Sequence, residues 1–160
     1  MKMHKTYLVG YLLLLIGVLA ACAGQGPAES GAAEAGETAV ESAAAVDMAD
    51  LPRNADGYVD ISVDQLAIML EEKNFTFVNV HIPYDGELPQ TDLFIPFNEI
   101  PDHLAELPDK DAPIVLYCRS GNMTTSAAEE LVDLGYTNVY ELDGGFRAWE
   151  AAGHEVLYNQ

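Results

Sequence analysis

The sequence predicts a small α/β domain whose parallel sheet is covered by helices on both faces. Three observations lead there. Runs rich in β-branched and aromatic residues, such as Phe75-Thr76-Phe77-Val78-Asn79-Val80, alternate with stretches of helical hydrophobic period. Ile114-Val115-Leu116-Tyr117 is apolar throughout and bounded by Pro113, as a buried strand would be. Leu51 to Leu157 spans roughly 105 residues, enough for one modest core.

Each element has its own signal. Tyr58-Val59-Asp60-Ile61 reads as a short strand. Ser62 and Gln65 stand at capping-box spacing, and Val63, Leu66, Ala67 and Leu70 share one helical face behind them. Phe75 to Val80 is the second strand. His81 to Gln90 holds Pro83, Gly86 and Pro89, which punctuate a loop. Leu93 to Phe97 has the composition of a third strand. Glu99 to Leu107 suits a short helix with Ile100, Leu104 and Leu107 inward and its start confined by Pro101. Ile114 to Tyr117 is the next strand. Ala127, Ala128, Leu131, Val132 and Leu134 mark a helix that Gly135 terminates. Asn138 to Leu142 is the last strand, Asp143-Gly144-Gly145 a turn, and Phe146 to Ala152 a final helix carrying Trp149.

Ahead of the domain, Lys2 and Lys5 precede an apolar run from Tyr7 to Ala21, short for a membrane span. Leu19-Ala20-Ala21-Cys22 resembles the lipobox of bacterial lipoproteins, which implies a signal peptide over residues 1–21 and lipidation at Cys22. An ordinary cleaved signal and an uncleaved anchor are the alternatives. All three place the domain outside the cytoplasm, and the first ties it to the membrane through lipid alone. Residues 22–50, rich in Ala, Gly, Glu and Ser, read as a flexible tether leading to a domain over 51–160.

The formal charge is −19, from 7 basic and 26 acidic residues. Loss of residues 1–21 removes Lys2 and Lys5 and no acid, leaving five against 26, or −21. So negative a surface repels nucleic acid and anionic headgroups, and keeps an exported protein soluble. It also disfavours small anionic substrates unless the site is locally positive.

With Cys22 lipidated, Cys118 is the one remaining thiol, either free or paired between molecules. It ends a strand and is followed by Arg119, the short polar turn Ser120-Gly121-Asn122, and a helix. Ligands in parallel-sheet folds sit beyond the carboxyl ends of the strands. The free N–H groups at a helix start favour negative charge, hence the reactive thiolate. Small turn-forming residues let successive backbone N–H groups converge as an anion cradle. Taken alone, a cysteine ending a buried strand is more often a small core hydrophobe than a nucleophile, and Arg119 is equally an ordinary surface or sheet-edge arginine.

Ile114-Val115-Leu116-Tyr117-Cys118-Arg119-Ser120-Gly121-Asn122-Met123 resembles the active-site segment of rhodanese-like sulfurtransferases, and so does Val139-Tyr140-Glu141-Leu142-Asp143-Gly144-Gly145-Phe146-Arg147-Ala148-Trp149 with Ala152-Gly153-His154. The resemblance covers about residues 55–158. It implies a three-layer fold with a mostly parallel five-stranded sheet. It implies a persulfide on Cys118 that passes sulfur to a thiophilic acceptor, with the amides of Arg119, Ser120, Gly121, Asn122 and Met123 stabilising the anion. No cofactor follows from it; the partners are a small sulfur donor or acceptor, or a protein thiol. Phosphatases of related chemistry carry an arginine six positions after the cysteine to clamp phosphate. Thr124 stands there instead.

The amino-terminal half departs from that pattern. Asn79-Val80-His81 replaces the usual aspartate and arginine two apart, and the Gly-His-Ile-Pro segment is missing between His81 and Glu99. Asn79 and His81 are therefore expected to flank the site, with His81 offering a titratable group or serving as a satisfied loop residue. His103 and His154 read as surface residues, and no paired-ligand spacing suggests a metal. Thiosulfate, a dianion, is expected to be a poor donor. A non-catalytic binding or sensing module and a thiol redox partner are the other readings.

Overall fold

The computed structural model describes residues 46–158; the signal and lipidation readings at residues 1–21 and Cys22, and most of the tether, lie outside the described residues. Strands β1 (Val59–Ile61), β2 (Thr76–Asn79), β3 (Leu93–Phe94), β4 (Ile114–Tyr117) and β5 (Val139–Leu142) form one sheet in the order β1-β5-β4-β2-β3. Every neighbouring pair runs parallel. The helices are α1 (Val63–Glu71), α2 (Asn122–Asp133) and α3 (Gly145–Ala151), with 3-10 turns at Met48–Asp50 and Ile100–His103.

Strand alternation sorts the core into two layers. Ile114 and Leu116 of β4 face Ala127, Ala128 and Leu131 of α2, together with Val78 and Val139. Val115 and Tyr117 face Leu66, Met69 and Leu70 of α1 and Phe146 and Trp149 of α3, together with Phe77 and Leu142. With α2 on one face and α1 and α3 on the other, the sheet is covered on both sides, as the βα alternation predicts. β4 lies at the centre, so its carboxyl end opens among three helices.

Local signals explain most boundaries. α1 begins at a capping box: Gln65 N–H donates to Ser62 Oγ at 3.2 Å and Ser62 N–H to Gln65 Oε1 at 2.8 Å. α2 ends where Gly135, at φ +88°, turns the chain back. There Tyr136 N–H donates to the Leu131 carbonyl at 3.0 Å.

Three expectations are corrected. β3 stops at Phe94, short of the predicted Phe97, because Pro96 has no N–H to continue the ladder. Ile95 and Phe97 still donate to Asn79 and Val80 carbonyls on either side of it. The predicted helix over 99–107 is a single 3-10 turn, closed in by Pro101 and Pro108, with Ile100 and Leu107 buried as expected. Described residues ahead of the expected start near Leu51 also pack on the domain: Asp47 caps the turn at Met48–Asp50 and Tyr140 Oη donates to the Met48 carbonyl at 2.9 Å. Val46 and Met48 pack on the α1 side of the core. Those two apolar side chains are enough to seat residues that composition groups with the tether.

Candidate active site

Cys118 follows β4 directly and is 1% exposed. The backbone reverses at Gly121, whose φ of +105° disfavours any residue with a side chain. The turn brings Gly121 N–H to Cys118 Sγ at 3.1 Å. α2 starts at the next residue, so the first-turn N–H groups of Asn122, Met123 and Thr124 have no acceptor within the helix. Sequence periodicity marks this helix from Ala127; its earlier start makes the cradle and the helix terminus one feature.

A second turn holds that loop from behind. Phe146 N–H donates to the Cys118 carbonyl at 3.0 Å and Arg147 N–H to the Arg119 carbonyl at 3.2 Å. The two chains approach so closely that a Cβ on Gly145 would lie 2.1 Å from the Cys118 carbonyl oxygen and 2.8 Å from Ser120 N. The Asp143-Gly144-Gly145 turn therefore shapes the cradle by having no side chain where the loop passes.

The other site residues fall into distinct places. Ser120 and Asn122 form the exposed rim, and Met123 packs against the α2 side of the core. Arg119 turns outward, its Nη1 3.7 Å from Asp85 Oδ2, with both side chains about half exposed. Asp85 thus offsets part of the positive charge that Arg119 brings to the site. Thr124 is fully buried, so no cation occupies the position where phosphatases clamp phosphate.

Asn79 is buried and does not face the thiol. Its Nδ2 donates to the Gly86 carbonyl at 2.9 Å and its Oδ1 accepts from His81 N–H at 3.0 Å. It ties the 81–90 loop to the end of β2. The same loop is held by Tyr117 Oη, which accepts from Leu88 N–H at 3.0 Å, and by paired backbone bonds between Glu87 and Leu157.

His81 stands level with Arg119 when the register that pairs Asn79 with Tyr117 is carried two residues further, beside the cysteine loop. It is 4% exposed, its ring meets Phe146 edge-on at 5.7 Å, and neither ring nitrogen has a partner. It is not a satisfied loop histidine. Burial first, then the charge of Arg119 and less so that of Arg147, hold it below the ordinary histidine range, with Asp85 pulling the other way. Both the burial and the two arginines favour the neutral imidazole.

Sequence reasoning passed over Glu141, Arg147 and Asp85 as site residues. Glu141 had a visible signal, a carboxylate between Tyr140 and Leu142 in a run otherwise suited to burial. Asp85 and Arg147 had none, since their proximity to Arg119 and His81 arises from the folding of distant loops. Of the surface histidines, His103 pairs with Glu106, whereas His154 stacks on Trp149 at 4.1 Å and is only partly exposed.

The likenesses to known proteins agree with this geometry. The chain is 32% identical over 100 residues to the thiosulfate sulfurtransferase GlpE of Pseudoalteromonas translucida, covering 61% of this chain and 93% of that one. It is 36% identical over 93 residues to GlpE of Shewanella oneidensis, covering 58% and 92%. Among solved structures, the rhodanese-like domain of an Anabaena protein superimposes with a TM-score of 0.57 at 26% identity, covering 62% of this chain and 79% of that one. A rhodanese-related protein from Thermoplasma volcanium gives 0.55 at 25% identity, covering 64% and 100%. The family model for the Rhodanese-like domain matches residues 63–152, more than half of the sequence. The chain belongs to the rhodanese-like domain family.

Proposed function

We propose that the protein is a sulfurtransferase in which Cys118 carries the transferred sulfur as a persulfide. One observation carries this: the single described thiol sits at the end of the central strand with Gly121 N–H on its sulfur at 3.1 Å, at the start of a 12-residue helix. Backbone dipoles fixed on that atom stabilise a sulfur anion before and after transfer. The relatives named as thiosulfate sulfurtransferases support the same chemistry.

The reaction balances without a cofactor. The Cys118 thiolate attacks the outer sulfur of a sulfane donor. The donor's S–S bond breaks, its remaining fragment leaves with the electron pair, and a Cys118 S–S bond forms. An acceptor thiolate then attacks the outer sulfur, becomes a persulfide itself, and returns Cys118 as thiolate. The loop amides hold charge on sulfur in both steps.

Donor choice follows from electrostatics. The chain's formal charge of −19 and the Arg119–Asp85 pair leave little net attraction for a dianion. Thiosulfate is therefore proposed as a weak donor, and thiol-bound sulfane sulfur, small or on a protein, as the preferred one. The domain is proposed to work outside the cytoplasm, tethered to the membrane through lipid on Cys22. Steady-state transfer to a thiol acceptor from thiosulfate and from glutathione persulfide tests the scheme. Activity with the persulfide, a higher KM for thiosulfate, and complete loss in Cys118→Ser are expected. Equal rates in wild type and Cys118→Ser would leave a binding module instead.

A further inference from the structure

Behind the cysteine loop lies a carboxyl group that the transfer scheme does not use. Glu141 of β5 is 4% exposed. Its Oε1 accepts from Thr125 Oγ1 of α2 at 3.0 Å. Its Oε2 is buried with no partner. A Cβ built on Gly121 would lie 3.7 Å from Oε1, so the carboxyl is a near neighbour of the residue whose N–H donates to Cys118 Sγ.

Apart from the Thr125 hydroxyl, the groups around Glu141 oppose its negative charge. Tyr58 and Asp60 face it from the β1 side, Glu129 from α2 and Asp143 from the turn after β5. Among the described residues, no basic side chain lies within ion-pair distance of it. Burial first, then the carboxylates of Asp60, Asp143 and Glu129, push the group up to about 7, against the opposing bond from Thr125. Near neutral pH the site therefore holds two forms, a neutral acid and an anion.

We propose that Glu141 is a positioning residue for sulfur chemistry: as a neutral acid it leaves the field of the loop amides to the Cys118 anion, and as a carboxylate it opposes that anion across Gly121. The effect is reciprocal, as any coupling between sites must be. A persulfide or thiolate on Cys118 keeps the Glu141 proton bound, and loss of that proton disfavours the sulfur anion. The proton moves to and from solvent, and no other reactant is needed. The inference deepens the sulfur-transfer proposal and rests on Cys118 as the reacting sulfur, but its test requires no sulfur donor, so the two can fail separately.

The test is the rate of Cys118 alkylation by uncharged iodoacetamide as a function of pH, from about pH 5 to about pH 9, where thiolate sets the rate. Glu141→Gln keeps the acceptor for Thr125 and removes the charge; Asp133→Asn, exposed at the far end of α2, is the control. In Glu141→Gln the midpoint of the profile falls by roughly one pH unit, so the rate below the midpoint rises about tenfold. The high-pH limiting rate, which reports access to the sulfur, stays the same. Asp133→Asn leaves the midpoint in place. Equal midpoints in wild type and Glu141→Gln, or an equal shift in Asp133→Asn, overturn the proposal. If Glu141→Gln does not fold, carbon-13 NMR of the Glu141 carboxyl decides in wild type. Its titration extends to higher pH with Cys118 present than in Cys118→Ser, and identical curves overturn the proposal.

Discussion

Gly145→Ala is the substitution to which this site is most exposed. The new methyl would meet the Cys118 carbonyl oxygen at 2.1 Å and the Arg119 carbonyl carbon at 2.7 Å, both backbone atoms that no rotamer change can move aside. Relief requires the cysteine loop and the β5–α3 turn to part. That stretches the bonds from Phe146 N–H to Cys118 and from Arg147 N–H to Arg119, now 3.0 and 3.2 Å. Two backbone bonds at about 1 kcal/mol each, plus overpacking at about 1–3 kcal/mol, give roughly 3–5 kcal/mol. A left-handed φ of +58° adds about 1–2 kcal/mol for any side chain. Gly153→Ala isolates that last part, since Gly153 sits at φ +92° with nothing within 4 Å of its would-be Cβ. Urea unfolding followed by the fluorescence of Trp149, the one tryptophan, measures both variants. Gly145→Ala is expected to lose at least about 3 kcal/mol more than Gly153→Ala, a large share of the 5–15 kcal/mol typical of a domain. Losses within about 1 kcal/mol of each other would show that the loop does not rest on Gly145 and would refute the close approach.

Two further perturbations act through protons. Glu141 binds its proton more tightly folded than unfolded, so its contribution is fully present below about pH 4.5 and is lost as pH rises through about 7. That loss is on the order of 3 kcal/mol. Glu141→Gln should therefore gain stability over wild type by about that amount between pH 5 and pH 8 in urea titrations, and a gain independent of pH would contradict the buried carboxyl. His81 has the opposite sign. Its folded-state value lies below the unfolded one near 6.5, so its stability is full above that pH and is lost as acid protonates the unfolded chain first. Wild type should weaken between pH 7 and pH 5 relative to His81→Phe, as read from the urea midpoints at the two pH values; parallel midpoints would mean that His81 is solvated.

What the sequence disclosed, and what it did not, follows the range of the forces involved. Cys118 at a strand end, the reversal at Gly121 and the capping box at Ser62 are local, and each was legible from spacing alone. The parallel sheet was legible because apolar runs such as Ile114–Tyr117 require cover on both faces. The short β3 turns on Pro96, whose missing donor was in plain view but whose place on a ladder was not. The seat of Val46 and Met48 depends on a groove between α1 and the sheet that only the folded chain provides. Asn79 was expected to flank the site, and the contact its amide makes, to the Gly86 carbonyl, is set by the path of the 81–90 loop. Arg119 looked like a charge for the sulfur, and Asp85, 34 positions earlier, turns it aside. Glu141 became significant only with its carboxyl placed near Gly121 by the fold.

The most direct measurement is the intact mass of the full-length protein before and after incubation with a sulfane-sulfur donor. A persulfide adds about 32 Da, the mass of one sulfur atom, to Cys118. Wild type should gain that mass, lose it when a thiol acceptor is added, and show it on the peptide containing Cys118, while Cys118→Ser gains nothing. A folded wild-type protein whose Cys118 alkylates readily, yet whose mass never rises with any donor, would contradict sulfur transfer through this cysteine.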